Sequence, residues 1–189
     1  MIRAFIAISL DSKIIDKIFD AMSQLKREIP GVRWVAKENL HLTLKFLGPI
    51  DEARIDPISG TLARAVRPFS RFTINAKGLG VFPDLKRPRV LWAGLEGGDL
   101  PALVGAVESA LEPLGFAPET RSFKPHLTVG RWRNFEGSVT RLGREIEKWR
   151  FYEFGESKVE EVALFQSVLK RNGAVYYLLS SVALNDNPL

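Results

Sequence analysis

The chain of 189 residues contains no cysteine. Disulfides and thiolate metal sites are therefore excluded, and a reducing, cytoplasmic location is the expectation. No apolar run approaches the ~20 residues that a helix needs to cross a bilayer. The apolar start at residues 2–8 is too short for a secretory signal peptide and predicts a strand. No linker rich in glycine, serine or proline divides the chain, so residues 1–189 are expected to form one domain with two lobes and a groove between them.

Histidine is scarce as well, since the chain contains two. They stand in matched contexts: His41-Leu42-Thr43-Leu44-Lys45-Phe46 and His126-Leu127-Thr128-Val129-Gly130-Arg131. On average residue usage, Leu-Thr would follow the second histidine by chance roughly once in a few hundred trials. The duplicated context therefore indicates function. The net charge of +5 favours a polyanionic partner only weakly, and no run of consecutive basic residues marks a disordered nucleic-acid arm.

Both motifs alternate apolar and polar residues, which predicts two half-buried strands. The aliphatic residues fall on one face of each strand, whereas the histidine and threonine fall on the other: His41 with Thr43, and His126 with Thr128. An unperturbed imidazole titrates near pH ~6.5. Two histidines that face one reactive atom can therefore act as general acid and general base.

Phe46 and Arg131 each follow their histidine by five residues. This odd offset would turn both side chains to the opposite face of a regular strand. A bulge or the end of the strand must return them to the histidine face, and Gly130 could permit this next to Arg131.

Hydrophobic periodicity assigns strands and helices to most of the chain. Strands are expected at residues 2–9, 32–35, the two motifs, 72–82, 90–93, 155–169 and 174–184, and helices from residue 11 or 12 to residue 30 and at 51–66, 100–114 and 138–149. Gly48-Pro49 is expected to end the first histidine strand, Asn172-Gly173 to form a hairpin turn, and residues 185–189 to be a loose tail. The antiparallel closing strands favour an α+β fold over a doubly wound parallel sheet. Each histidine strand precedes a helix and two strands, which indicates two related halves.

The paired motifs resemble those of the two-histidine phosphoesterase superfamily, and most closely those of the bacterial and archaeal RNA 2′,3′-cyclic phosphodiesterases, also known as 2′-5′ RNA ligases. In that family the motifs extend to His-x-Thr-x-x-Phe and His-x-Thr-x-x-Arg, and Phe46 and Arg131 stand at those positions. Arg3-Ala4-Phe5-Ile6-Ala7 near the start, and Ser167, Leu169, Gly173 and Tyr176 near the end, also look like the family. The resemblance implies an α+β fold in which two pseudo-symmetric lobes, with antiparallel sheets, flank a central groove and carry their helices outside.

The resemblance also implies an activity, which is hydrolysis of the 2′,3′-cyclic phosphate ends of RNA to 2′-phosphate ends. His41 would be the general acid that protonates O3′, and His126 the general base that activates water. By the same carry-over Arg131 would clamp the phosphate, Phe46 would stack on the base, and Thr43 and Thr128 would bind phosphate oxygens. No metal, cofactor or membrane is implied, the partner is RNA with cyclic phosphate ends, and a monomer is expected.

Three other interpretations stay open on the residues alone. A zinc hydrolase would need carboxylate ligands, and neither six-residue motif contains Asp or Glu. A non-catalytic module that binds RNA ends would use Phe46 and Arg131 without needing two imidazoles. A sister activity, such as 2′-5′ ligation, 2′-5′ RNA cleavage or hydrolysis of cyclic nucleotides, would use the same motifs. Tyr176 and Tyr177 are interpreted as packing residues.

Overall fold

A computed structural model describes residues 1–171 and 173–186. Within them the chain forms nine strands and four α-helices. In chain order these are β1 (Ile2–Ile8), α1 (Ser12–Glu28), β2 (Arg33–Trp34), β3 (Leu42–Ile50), α2 (Ile55–Val66), β4 (Phe72–Phe82), β5 (Val90–Glu96), α3 (Leu100–Leu111), β6 (His126–Arg131), α4 (Val139–Trp149), β7 (Glu153–Val159), β8 (Glu161–Lys170) and β9 (Gly173–Ala183). None of the helices in this part of the chain is long and apolar enough to cross a membrane.

The nine strands form one antiparallel sheet with the order β7-β4-β5-β6-β3-β1-β8-β9, and β2 lies beside the end of β6. The sheet has two lobes that meet between β3 and β6. The first lobe contains β3, β1, β8 and β9, and the second contains β6, β5, β4 and β7. Helices α2 and α3 pack on the first lobe, and α1 and α4 pack on the second. This arrangement confirms the predicted α+β fold with two lobes and outer helices.

The two lobes are not consecutive halves of the chain, contrary to the expectation from the repeated motif. The chain crosses between them several times, so β1 belongs to the first lobe and its neighbour α1 packs on the second. Apolar residues at helical spacing along α1, such as Ile14, Ile18 and Leu25, are buried as the periodicity predicts. They join one hydrophobic core that extends under both lobes.

The single strand predicted at residues 155–169 is wrong, because Glu160 divides it into β7 and β8. Val159 pairs with Phe72 at one edge of the sheet, whereas Glu161 pairs with Ala183 at the other edge. No glycine or proline lies at Glu160, where the chain passes from one edge of the sheet to the other, so the residues that usually interrupt a strand are missing there.

The predicted end of the first histidine strand at Gly48-Pro49 is also wrong. Strand β3 continues to Ile50, and Gly48 takes a left-handed φ of 73° opposite Ala4. Glycine adopts this conformation without strain. Among the described strands, β6 pairs with β3 only at Leu42, so Pro49 lies where one edge of β3 is unpaired and a missing N–H is tolerated.

The closing hairpin of β8 and β9 is confirmed, with Lys170 opposite Gly173. Its predicted turn falls partly on Asn172, which lies outside the described residues. The predicted loose tail is wrong for Asn185 and Asp186. Asn185 bridges to Ser70, and Asp186 lies 2.7 Å from Arg71 in an ion pair. Residues 187–189 lie outside the described part.

Candidate active site

The two histidines lie where the lobes meet. Leu42 of β3 pairs with Leu127 of β6, and both leucines are buried in the core. Because side chains alternate along a strand, the neighbours of these leucines point to the opposite face of the sheet. Those neighbours are His41 and Thr43 on one side and His126 and Thr128 on the other. The pairing therefore brings both predicted acid–base residues and both threonines to one face of the sheet where the lobes meet, and we call this region the groove.

His41 immediately precedes β3 and is enclosed by aromatic rings. Its ring stacks on Phe5 with centroids 4.9 Å apart and meets Tyr176 edge-on at 5.1 Å. Burial in these surroundings disfavours the imidazolium and lowers the pKa of His41 from 6.5 to about 4, and a hydrogen bond with the backbone of Asn39 opposes this shift. Nε2 lies 3.0 Å from Thr43 Oγ1. His41 is therefore neutral at pH 7 in the free protein.

His126 is the first residue of β6, and a hydrogen bond fixes its orientation. Nδ1 lies 2.7 Å from the carbonyl oxygen of Lys124. A carbonyl can only accept, so Nδ1 carries the proton in the neutral ring and Nε2 keeps a free lone pair. Burial lowers the pKa of His126, the Lys124 hydrogen bond opposes this, and the positive charge of Arg131 lowers it further. This tautomer suits a base that accepts a proton at Nε2.

A bulge in β3 resolves the odd offset of Phe46. Thr43 pairs with Ala7 and Lys45 pairs with Ile6, so Leu44 is an extra residue on β3. Leu44 and Lys45 consequently both point to the core side, where both are buried. Phe46 then returns to the groove face and is 70% exposed. Its ring lies 6.2 Å from that of Phe5, which itself stacks on His41.

An equivalent bulge in β6 returns Arg131 to the groove. Thr128 pairs with Trp92 and Gly130 pairs with Leu91, so Val129 is the extra residue. Val129 and Gly130 are both buried, and Arg131 is exposed. The side chain of a larger residue at 130 would collide with Val32, since a Cβ there would lie 2.4 Å from Val32 Cγ1. Glycine at this position is thus required by the close packing of the bulge.

Tyr176 belongs to the groove, although its sequence context was interpreted as packing. Besides its edge contact with His41, its ring meets Phe5 at 4.8 Å. Burial raises the pKa of the Tyr176 phenol, and the charge of Arg131 lowers it. The charge of Arg131 therefore lowers the pKa of one residue in each lobe, His126 and Tyr176. The alternation along β9 and the family-like position of Tyr176 are the signals that could have identified it.

Apolar side chains continue the groove wall across the first lobe. Phe46, Phe5 and Phe165 stand directly opposite one another on β3, β1 and β8, and Leu178 follows on β9. Phe5 is buried beneath its neighbours, whereas Leu178 is 58% exposed at the outer end of the row. The row offers an apolar, aromatic surface beside His41, of the kind on which a nucleobase stacks.

The groove has few groups that prefer a metal. In residues 1–171 and 173–186, no cluster of three or more His, Asp or Glu side chains is arranged to hold a metal ion. The polar groups around the two histidines include imidazoles, hydroxyls and the guanidinium of Arg131. Such donors match an anionic phosphate.

Comparison with known proteins identifies the class to which this fold and site belong. The family model described as LigT-like phosphoesterase matches residues 8–92 and 96–176, which include both histidine motifs. The chain therefore belongs to the LigT-like phosphoesterase family, as the motifs predict.

Individual relatives agree with this assignment. A Methanocaldococcus jannaschii protein named RNA 2′,3′-cyclic phosphodiesterase is 34% identical over 177 residues, covering 94% of this chain and 98% of that protein. An Archaeoglobus fulgidus protein of the same name is 36% identical over 175 residues, covering 92% and 96%. The crystal structure of E. coli LigT complexed with 3′-AMP is similar with a TM-score of 0.78 at 27% identity, covering 97% of this chain and 98% of that one.

Proposed function

We propose that this protein hydrolyses the 2′,3′-cyclic phosphate at the end of an RNA chain, leaving a 2′-phosphate and a 3′-hydroxyl. The observation that carries the proposal is the meeting of two histidines, one from each lobe, on one face of a continuous sheet. In-line displacement at phosphorus needs a base beside the entering water and an acid beside the leaving oxygen. The names of the M. jannaschii and A. fulgidus relatives support the same reaction.

His126 takes the part of general base. Its Nε2 accepts a proton from water as the water oxygen bonds to phosphorus. The carbonyl of Lys124 holds the ring in the required tautomer and stabilises the imidazolium that forms. The lowered pKa of His126 keeps this nitrogen unprotonated at neutral pH before the reaction.

His41 takes the part of general acid. As the bond between phosphorus and O3′ breaks, His41 donates its proton to O3′, and the phosphate remains on O2′. His41 must carry a proton at that moment, although burial holds its pKa at about 4 in the free protein. The negative charge of the bound phosphate favours the imidazolium and raises this pKa in the complex. Substrate binding thus favours the protonated form of His41 that a general acid requires.

Arg131, Phe46 and the two threonines bind the substrate in this proposal. The guanidinium of Arg131 donates to two phosphate oxygens and stabilises charge that develops in the transition state. Phe46 stacks on the terminal base, a contact worth about 1–3 kcal/mol. The hydroxyls of Thr43 and Thr128 face the groove beside the histidines and donate to the remaining phosphate oxygens.

We further propose that residues 1–189 form a single domain that acts as a cytoplasmic monomer without a metal or cofactor. The continuous sheet and the shared core support one domain. One chain contributes both histidines, so the proposed site requires no second copy. The absence of cysteine supports a reducing compartment.

A dinucleotide with a 2′,3′-cyclic phosphate end tests the proposal. Phosphorus NMR should identify a 2′-phosphate as the main product, and EDTA should not change the rate. A dominant 3′-phosphate would reverse the acid and base assignments or the substrate pose. Activity that returns only with added zinc or magnesium would favour a metal hydrolase, and binding without turnover would favour an RNA-end-binding module.

Substitutions separate the proposed roles. Either His41→Ala or His126→Ala should lower the rate at least ~10²-fold, the usual contribution of a general acid or base. Phe46→Ala is the milder comparison, because lost stacking weakens substrate binding without removing a proton donor or acceptor. A large loss from only one histidine would contradict the paired mechanism.

A further inference from the structure

A second arginine faces the groove beside Arg131. Strand β2 is only two residues long, and it places Arg33 directly opposite Arg131 and Trp34 opposite Gly130. Val32 and Trp34 both approach the inner side of Gly130, at 2.4 and 3.6 Å from the position of a Cβ there. Side chains alternate along the strand, so Arg33, between these two residues, points outward with Arg131. Both arginines are exposed.

This pairing opposes two like charges. Side chains directly opposite on antiparallel strands have Cβ atoms about 4.5–5.5 Å apart, and like charges at such positions are destabilising. Within residues 1–171 and 173–186, no hydrogen bond or ion pair involves the guanidinium of Arg33 or Arg131. A bound anion would relieve this repulsion. The two guanidinium groups together are thus suited to bind an anionic ligand that extends beyond Arg131 alone.

The two arginines differ in their relation to the reacting groups. The charge of Arg131 lowers the pKa of His126 and of Tyr176, whereas the charge of Arg33 is not among the causes of either shift. Arg131 therefore lies near the place of the cyclic phosphate, and Arg33 lies to one side of it. An anionic group of the substrate that binds Arg33 would therefore lie next to the reacting phosphate.

We propose that Arg33 binds the phosphodiester that joins the terminal nucleotide to the nucleotide on its 5′ side. This inference rests on the proposed function and makes Arg33 a specificity-determining residue. A mononucleoside 2′,3′-cyclic phosphate has no second phosphate, so it cannot use Arg33. The protein consequently prefers the end of an RNA chain to a free cyclic nucleotide.

The test compares two substrates that differ by one phosphodiester: adenosine 2′,3′-cyclic phosphate and the dinucleotide ApA with a 2′,3′-cyclic phosphate end. Arg33→Gln should raise KM for the dinucleotide roughly fivefold at low salt, the size expected for one exposed ion pair. It should leave kcat for both substrates, and KM for the mononucleoside, unchanged. The slope of log(kcat/KM) against log salt for the dinucleotide should become shallower by about 0.7, because one fewer phosphate is neutralised.

Two further variants serve as controls. Arg144→Gln removes an equal charge from an exposed position on α4 and should change neither substrate's kinetics. Arg33→Lys keeps the charge and should retain most of the salt dependence. Thermal unfolding checks the fold, and Arg33→Gln should unfold no earlier than the wild type because it removes repulsion with Arg131.

Two kinetic results would overturn the role of Arg33, and a third would overturn the proposed function as well. Equal losses on both substrates would place Arg33 on the reacting phosphate and overturn the inference. An unchanged KM for the dinucleotide would show that Arg33 does not contact RNA and would overturn it as well. If the wild type hydrolysed neither substrate, the proposed function would fail and this inference with it.

Discussion

Acidification should weaken the folded protein through His41. The rings around His41 provide no negative charge, and burial lowers its pKa from 6.5 to about 4. The unfolded chain therefore binds a proton at this residue below pH ~6.5, whereas the folded chain stays neutral there until about pH 4. The stability that depends on neutral His41 is complete above pH ~6.5 and is lost as the pH falls towards 4. At pH 4.5 the loss should be about 2–3 kcal/mol, since one pKa unit corresponds to ~1.4 kcal/mol.

Proton NMR can read this pKa directly, because the chain contains only two histidines. His41→Gln and His126→Gln assign the two ring signals. The His41 signal should titrate near pH 4, and the pKa read from the His126 signal should lie below 6.5 because burial lowers it. Urea unfolding at pH 7 and pH 4.5 measures the linked stability. The wild type should lose about 2–3 kcal/mol more than His41→Gln, because the carboxylates common to both proteins cancel in the comparison.

A phosphate ligand should shift the His41 titration upward. Inorganic phosphate or a nucleoside 2′-monophosphate would put negative charge beside the imidazole and favour its charged form. Two results would refute the reasoning: a free His41 that titrates at pH 6.5, or equal acid sensitivity in the wild type and His41→Gln. A His41 titration that the ligand leaves unchanged would remove the basis for its role as the acid at neutral pH.

Three further substitutions test the groove and its support. Arg131→Ala should lower the single-turnover rate at saturating substrate roughly 10²-fold, with partial recovery in Arg131→Lys; a wild-type rate at saturation would leave Arg131 as a binding residue. Gly130→Ala should cost about 1–3 kcal/mol in urea unfolding, because its Cβ meets Val32, and unchanged stability would mean that Val32 moves freely. Lys45→Met should cost about 3–5 kcal/mol, since it leaves the partly buried Glu108 carboxylate without its cation, and adding Glu108→Gln should restore part of that loss; no recovery would show that Lys45 stabilises through packing and its hydrogen bond to the Ala117 carbonyl, and not through the ion pair.

The sequence predicts the histidine strands well because their alternation is local. Strand β6 coincides with the second motif, and β3 begins one residue after His41. The buried leucines and the partly exposed threonines on the opposite face follow from period-two alternation alone. The offset of Phe46 and Arg131 also shows that a correction to regular strand geometry is needed. Of the two bulges that provide it, only the bulge in β6 is indicated by a residue in the sequence, which is Gly130.

Long-range features could not be predicted in the same way. The adjacent Glu160 and Glu161 interrupt the alternation of polar and apolar residues. That interruption does not show that β7 and β8 lie at opposite edges of the sheet, because the edges depend on partner strands that are distant in sequence. The opposition of Arg33 and Arg131 likewise depends on the register between β2 and β6, which are distant in sequence. The environment of His41 combines rings from β1, β8 and β9, so its low pKa has no local signature.

The two bulges place chemically different side chains at equivalent positions of the two histidine strands. Each inserts one residue after the threonine of its motif, and each returns the fifth residue after the histidine to the groove. The backbone device is therefore the same in both lobes, and the side chains differ: a phenyl ring at Phe46 and a guanidinium at Arg131. Only a substrate with an apolar face on one side and an anion on the other matches both. A nucleotide has that polarity, which is why the proposed pose puts the base on the first lobe and the phosphate against the second.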